Sequence, residues 1–173
     1  MIYVLSSILH KRLTAVLFIS LCFLITPTGE LLAAGQTYQC ETSKDVHKAL
    51  KLVGPGDTIM LQGGSVYEID KTFMLESNGT EEDRISFTSN DPTGQERFAV
   101  ITTVGQRKEP DMVAMKLLGS YWSISRLEIA GKRVPLKEGY WDTNGFRIGI
   151  YLEGPGSHNN LVEDIHIHHT HNT

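Results

Sequence analysis

The chain has 173 residues, the length of one domain, and a formal net charge of −4 at pH 7. This acidic balance, with no basic stripe interleaved with aromatic residues, argues against a nucleic-acid partner. One of its two cysteines, Cys22, lies in a predicted leader and leaves Cys40 alone. The mature chain therefore has no intrachain disulfide.

The first 34 residues read as a secretory signal peptide. Lys11 and Arg12 precede an apolar run over residues 13–25, and small residues follow up to Ala34. The run has 13 residues, whereas about 20 are needed to cross a bilayer. We expect cleavage after Ala34, no stable membrane insertion afterwards, and a secreted or periplasmic/extracellular protein. An uncleaved N-terminal anchor is the alternative.

Residues 35–173 are expected to form a single domain that opens with one amphipathic helix over residues 42–53. Apolar residues at i, i+3, i+4 and i+7 form one stripe, composed of Val46, Ala49, Leu50 and Val53. Thr42 or Ser43 can cap the helix, and Gly54-Pro55 ends it. Because almost everything after it reads as strand, we expect this helix to cover the end of a β-structure.

The rest of the domain is predicted to be all-β. Short strands are expected at residues 58–61, 73–75, 85–88, 100–102, 115–118, 122–124, 127–129, 148–152, 160–162 and 165–167, separated mostly by Gly, Asn, Asp or Pro. One helix among so many strands excludes a doubly wound α/β fold. A β-sandwich would have longer strands at steadier spacing.

A repeated segment narrows the choice of architecture. Residues 121–129 and 159–167 align without a gap, 38 positions apart (159 minus 121), and each ends in an apolar-x-apolar triplet. Such a unit cannot bury its apolar face alone and requires neighbours above and below it. We therefore predict a parallel solenoid of three-sided coils with inward aliphatic ladders, a lateral loop over residues 132–145, and stacked amides at Asn159 and Asn160.

Several motifs then show a resemblance to a known family. Residues 49–67, with Gly54-Pro-Gly-Asp-Thr-Ile59 and Gly63-Gly64, resemble the opening of right-handed parallel β-helix proteins of the pectate-lyase superfamily. The elements that follow in this superfamily are resembled by residues 78–87, 121–129 and 149–169. The motifs and their order are most similar to those of the family 9 polysaccharide lyases. The resemblance implies a right-handed parallel β-helix with an N-terminal capping helix, and a chain that is C-terminally incomplete.

The resemblance also implies a chemistry. Polysaccharide lyases remove the proton α to a uronate carboxyl group and expel the glycosidic oxygen, which requires a base and a stabilising positive charge. In family 9 these are a lysine and a calcium ion held by aspartates, on coils later than those in this sequence. No matching aspartate cluster is found, so calcium is expected only by resemblance and no catalytic residue is carried over.

Four residues remain as candidates for binding a polysaccharide. His166 and His168 should point outward if Ile165 and Ile167 point inward, with Glu128 one coil below His166. Arg147 could pair with a substrate carboxylate, and Trp141 in the predicted loop could stack on a sugar ring. The alternatives are a polar exposed sheet for the histidines and a surface ion pair for Arg147. Zinc binding by His-x-His lacks a third ligand.

Two functions follow from these observations. The first is a secreted carbohydrate-active enzyme acting on an acidic, uronate-containing polysaccharide by β-elimination, with epimerisation as the alternative reaction. The second is a non-catalytic glycan-binding or structural β-helix, or a truncated inactive fragment of a lyase. An uncovered last coil would expose apolar residues and unpaired backbone groups, which predicts self-association through that end.

Overall fold

The computed structural model describes residues 35–104, 112–135, 141–144 and 146–170, with backbone alone for 132–135 and 141–144. It contains one helix and twelve strands in the described residues. They are β1 (Thr37–Cys40), α1 (Ser43–Ala49), β2 (Thr58–Gln62), β3 (Val66–Ile69), β4 (Phe73–Leu75), β5 (Ile85–Asn90), β6 (Ala99–Thr103), β7 (Val113–Leu117), β8 (Trp122–Ala130), β9 (Lys132–Pro135), β10 (Trp141–Asn144), β11 (Ile148–Leu152) and β12 (Leu161–His168).

The strands stack in three parallel columns. The first column contains β1, β2, β5 and the first segments of β8 and β12. The second contains β3, β6 and the second segments of β8 and β12, and the third contains β4, β7 and β11. From β2 onward, neighbouring strands of one column are therefore one circuit of the chain apart. This mostly β, curled parallel sheet is consistent with a β-helix.

The pairing of β8 with β12 has the same offset as the two similar segments of the sequence. Leu127 pairs with Ile165 and Ile129 with Ile167, which is the 38-residue offset read from the sequence. Where three-residue strands were predicted on each side of a bend, the structure has one longer strand, β8, bent at Arg126 with φ of 57°. Asp164 makes the equivalent bend in β12, with φ of 52°.

Inward apolar residues of successive coils form the core. In the first column Ile59, Phe87, Ile124 and Val162 lie in register, and the first three are fully buried. Burying each such side chain contributes about 1.5–3 kcal/mol. Trp122, which alternates with Ile124 along the strand, is also fully buried. The coils are therefore held together by stacked side chains of residues far apart in sequence.

The capping helix is shorter than predicted. It begins after Thr42, which forms a capping box with Asp45, and ends at Ala49 because the next turn closes by i→i+3 hydrogen bonds. The predicted apolar stripe is nonetheless buried in full, at Val46, Ala49, Leu50 and Val53. The helix therefore covers the core near the first coil, as expected.

The strands β1 and β3 and the hairpin β9–β10 were not predicted. β1 extends the first column, and the buried Tyr67 of β3 ties it in place, since its hydroxyl donates to the Cys40 carbonyl at 2.6 Å. The predicted loop over residues 132–145 contains the antiparallel pair β9–β10. Within the described part of the chain, the Asn160 side chain bonds to backbone groups of the coil below rather than to another amide. Its Oδ1 accepts the backbone N–H of Trp122 at 2.8 Å.

Among the described residues, no helix is long and apolar enough to cross a bilayer. The predicted signal peptide lies outside the described residues.

Cys40, the cysteine outside the predicted leader, is buried and should react slowly with thiol reagents. Cys40 is 3% exposed, and burial, together with the nearby charge of Asp45, raises the pKa of its thiol to about 11. In a Cys22→Ser variant, we expect a thiol reagent at pH 8 to modify native Cys40 about a hundredfold more slowly than the unfolded chain, because only the thiolate reacts. Absorbance of the released leaving group measures the rate. Equal rates with and without denaturant would contradict this burial.

Candidate functional site

The last described strand, β12, presents the predicted histidines on the second column. Beyond the Asp164 bend, Ile165 and Ile167 pack partly buried against the core, while His166 between them is exposed. His166 lies directly opposite Glu128 of β8, as the repeat predicted. Strand alternation thus places an outward polar ladder on this face.

Three side chains meet on this face, and Phe98 lies at their centre. The His166 and Phe98 ring centroids are 4.9 Å apart, and the Arg126 guanidinium carbon is 5.5 Å from the Phe98 centroid. A cation over an aromatic ring contributes about 0.5–1 kcal/mol at an exposed position. We call Phe98, Arg126 and His166 the Phe98 cluster. It combines an apolar ring with one fixed positive charge and one titratable ring.

The bend in β8 fixes the position of Arg126. Its Nε donates to the Ser89 carbonyl at 3.1 Å, and the Ser89 hydroxyl donates back to the Arg126 carbonyl at 2.5 Å. These two bonds join consecutive coils at their bends. Nε is the one Arg126 donor engaged among the described residues, so the terminal nitrogens remain for another acceptor.

A charged turn before β6 positions Phe98. The Asp91 carboxylate accepts bonds from Thr93 and from Arg97, including Arg97 Nε at 3.0 Å. The Arg97 guanidinium and the Thr93 hydroxyl hold the pKa of the Asp91 carboxyl well below its usual range, although burial opposes them. Asp91 is therefore charged at neutral pH, and the turn that leads into Phe98 is closed by an ion pair.

His168 has a different environment from His166. Its Nε2 lies 2.9 Å from Glu128 Oε1, and its Nδ1 lies 2.6 Å from Nδ1 of His169. The two imidazole nitrogens must therefore act as one donor and one acceptor. Glu128 thus orients the His168 ring, while His166 is held by the ring contact with Phe98.

A shallow depression of about 370 Å³ adjoins the Phe98 cluster. Its lining residues are Gly64, Glu96, Arg97, Phe98, Val100, Glu128 and His166. Pockets of this size are typical of small-molecule sites. The guanidinium in this lining is that of Arg97, which is paired with Asp91, and Arg126 is not among the lining residues. The Phe98 ring and the His166 imidazole suit a ligand with an apolar face, whereas Glu96 and Glu128 would oppose a negative charge.

The other two predicted residues are not part of this cluster. Arg147 is exposed at the entry to β11, in the third column, where its backbone N–H donates to the Met112 carbonyl at 2.8 Å. Trp141 begins β10, and its side chain lies outside the described residues. Glu153, which follows β11, forms an ion pair with Lys116 of β7.

No three His, Cys, Asp or Glu side chains of the described residues are placed to hold a metal ion. These residues therefore do not provide the calcium site that the family resemblance implies.

Sequence reasoning placed His166 above Glu128 on an outward polar face but missed Phe98. The strand pattern between residues 91 and 114 is ambiguous, and Phe98 meets His166 from 68 positions away (166 minus 98). The available signal was weak, namely an aromatic residue directly after Arg97 and before an apolar strand.

Comparisons with known proteins support the fold. The alginate lyase from Paenibacillus sp. str. FPU-7 superimposes with a TM-score of 0.52 and 24% identity, over 77% of this chain and 39% of that one. A family 6 alginate lyase, AlyGC, solved as a mutant, gives 0.48 and 20% identity, over 76% of this chain and 15% of that one. This chain thus spans well under half the length of either enzyme. At these identities the likeness to the first shows the fold alone, and the family 9 relationship is not confirmed.

No protein-family model matches the chain, and no curated protein matches it.

Proposed function

We propose that this chain is a secreted, right-handed parallel β-helix that binds an acidic, uronate-containing polysaccharide and acts on it as polysaccharide lyases do, by β-elimination. The Phe98 cluster is the observation that carries the proposal, since it places a guanidinium and an imidazole around a partly exposed aromatic ring. The stacked parallel coils, shared with a protein described as an alginate lyase, support it at the level of fold.

The Phe98 cluster supplies two kinds of contact that a uronate needs. The ring of Phe98 offers an apolar surface to the C–H face of the sugar. Arg126 offers terminal N–H groups to the carboxylate, and such charge-assisted bonds are about twice as strong as neutral ones. His166 lies next to both groups. His168, oriented by Glu128, extends the same face along β12.

Arg147 and Trp141 are assigned to the same polysaccharide at a different place. Both belong to the segment that joins the second column to the third. They would therefore contact a different sugar of the polysaccharide from the one that packs on Phe98. Their contribution is therefore to affinity for longer oligosaccharides, and we assign neither to the chemical step.

A non-catalytic glycan-binding β-helix is the second candidate. Two observations favour it. The described residues place no three carboxylate, imidazole or thiol side chains together as metal ligands, and the Lys116 ammonium is engaged by Glu153. Binding and β-elimination are separable in solution, because elimination creates an unsaturated, ultraviolet-absorbing sugar and binding does not.

The test uses the whole chain with alginate and polygalacturonate oligosaccharides. We expect Phe98→Leu, which keeps apolar bulk but removes the ring, to weaken binding measured by calorimetry about fivefold, or about 1 kcal/mol. Leu52→Ala, at a position 66% exposed on the capping end, should leave the affinity unchanged.

Unsaturated product formed in the presence of added calcium supports a lyase. Binding without product supports the second candidate. A folded protein that binds neither oligosaccharide would refute the proposal in both forms.

A further inference from the structure

A second group of aromatic and charged side chains lies at the bend that leads into the first column. The Arg84 guanidinium carbon is 5.8 Å from the Tyr121 ring centroid, and the His158 ring meets Tyr121 edge-on with centroids 5.7 Å apart. We call Arg84, Tyr121, His158 and Asn159 the Tyr121 cluster. It repeats the composition of the Phe98 cluster, with an aromatic ring between an arginine and a histidine.

A depression of about 350 Å³ opens beside the Tyr121 cluster. It is lined by Glu81, Arg84, Tyr121, Asn159, Asn160 and Leu161. The lining combines a ring, a guanidinium, two amide side chains and an apolar side chain. Apart from Glu81, these are the groups that bind a sugar acid through stacking, charge and hydroxyl contacts.

The backbone of two coils holds Arg84 in place. Its Nη1 donates to the Trp122 carbonyl at 3.1 Å and to the Asn159 carbonyl at 2.8 Å. Among the described residues, Nε and Nη2 make no hydrogen bond. The guanidinium is thus held in one orientation, which lowers the entropic cost of pairing with a carboxylate. Its Nε and Nη2 groups can donate to that carboxylate.

Tyr121 occupies a backbone conformation that does not suit its side chain. Its φ is 58°, in the left-handed region, where a bulky residue is uncommon and asparagine is enriched. Asn159, in the equivalent position one coil later, has φ of 54°. The fold therefore accepts asparagine at this bend. A tyrosine there points to a use of the ring other than stabilising the bend.

We propose that the Tyr121 cluster is a second binding subsite for the acidic polysaccharide. A uronate carboxylate pairs with Arg84, the sugar ring packs on Tyr121, and the Asn159 side chain meets sugar hydroxyls. The inference rests on the proposed function for the class of ligand. Tyr121 precedes the first segment of β8 and Arg126 ends it, about 16 Å apart along the strand, so one extended polysaccharide is long enough to reach both clusters.

The main test is Tyr121→Asn, assayed with alginate and polygalacturonate oligosaccharides on the whole chain. We expect about fivefold weaker binding by calorimetry together with an unchanged or higher urea midpoint, since asparagine suits the bend. A lower midpoint with unchanged affinity would overturn the inference, because the ring would then serve packing alone.

Glu81→Gln provides a second variant, at an exposed residue that makes no hydrogen bond through its side chain within the described part of the chain. Removing this negative charge from the depression should tighten binding about twofold at low salt and less at high salt. No change at either salt concentration would count against a ligand carboxylate at Arg84.

The two proposals fail in different ways. If Phe98→Leu weakens binding and Tyr121→Asn does not, the second subsite is wrong and the proposed function stands. If the unaltered chain binds no acidic oligosaccharide, the proposed function itself is wrong.

Discussion

Gly119→Ala is expected to destabilise the protein by about 3 kcal/mol, the upper part of the usual range for overpacking. Gly119 is buried at the bend after β7, and a Cβ there would collide with the Ser77 carbonyl oxygen and lie 2.8 Å from its carbon. Both are backbone atoms of the coil below, so neither can turn away as a flexible side chain could. Relief requires the two coils to separate at this corner.

The measurement is the urea midpoint followed by far-ultraviolet circular dichroism. Gly54→Ala provides the matched control, since a Cβ at that position meets nothing within 4 Å. We expect the control to remain within about 0.5 kcal/mol of the parent or to gain slightly in stability. If both alanine variants unfold at the same urea concentration as the parent, the close approach of the coils at Gly119 is wrong.

Trp122→Ala is expected to cost about 3–5 kcal/mol, the range for emptying a buried aromatic site. The side chain is completely buried, and it lies in register with Ile85 of the coil below. Its Nε1–H donates to the Ser77 carbonyl at 2.7 Å. The substitution therefore removes apolar contacts from the core and leaves that carbonyl without its indole donor.

Trp122→Phe separates the two contributions. It retains most of the apolar contact and loses the indole donor, so we expect a cost of about 1–3 kcal/mol. Leu52→Ala, at an exposed site, should change stability by less than about 0.5 kcal/mol. Because tryptophan fluorescence changes with the substitution itself, circular dichroism is the appropriate probe. A phenylalanine variant as unstable as the alanine variant would mean that apolar contact contributes little here.

These two predictions concern one carbonyl group. The Ser77 oxygen accepts the Trp122 indole hydrogen bond and also limits the space at Gly119. The adjacent Asn78 adds to the same junction, since its side-chain oxygen accepts the Ser120 N–H at 2.9 Å. Several polar contacts therefore join neighbouring coils at this bend.

The stacking of coils could be predicted from sequence because it depends on pattern. Two copies of a short apolar alternation, 38 positions apart, are sufficient to pair Leu127 with Ile165. The helix stripe was readable for the same reason, since its spacing of buried residues is local. In both cases the spacing of apolar residues is local in the sequence. It can therefore be recognised without knowing which distant residues are in contact.

Features that depend on distant partners were missed. β1 is short and polar, and it is a strand because Cys40 pairs with Leu61 and its carbonyl accepts the Tyr67 hydroxyl. The turn between Asp91 and Arg97 is closed by side-chain hydrogen bonds. The pattern of apolar and polar residues does not predict them. Phe98 and Tyr121 became candidate binding residues once the structure placed each beside an arginine and a histidine.

The unequal length of the coils has a consequence for engineering. In the first column, equivalent positions are 28 residues apart from Thr58 to Ser86, 37 from Ile85 to Trp122 and 38 from Ser123 to Leu161, yet every strand keeps its register. The bends absorb the difference without disturbing the stacked side chains. Foreign peptides grafted at such corners would thus be displayed on a rigid scaffold at a chosen height along the stack.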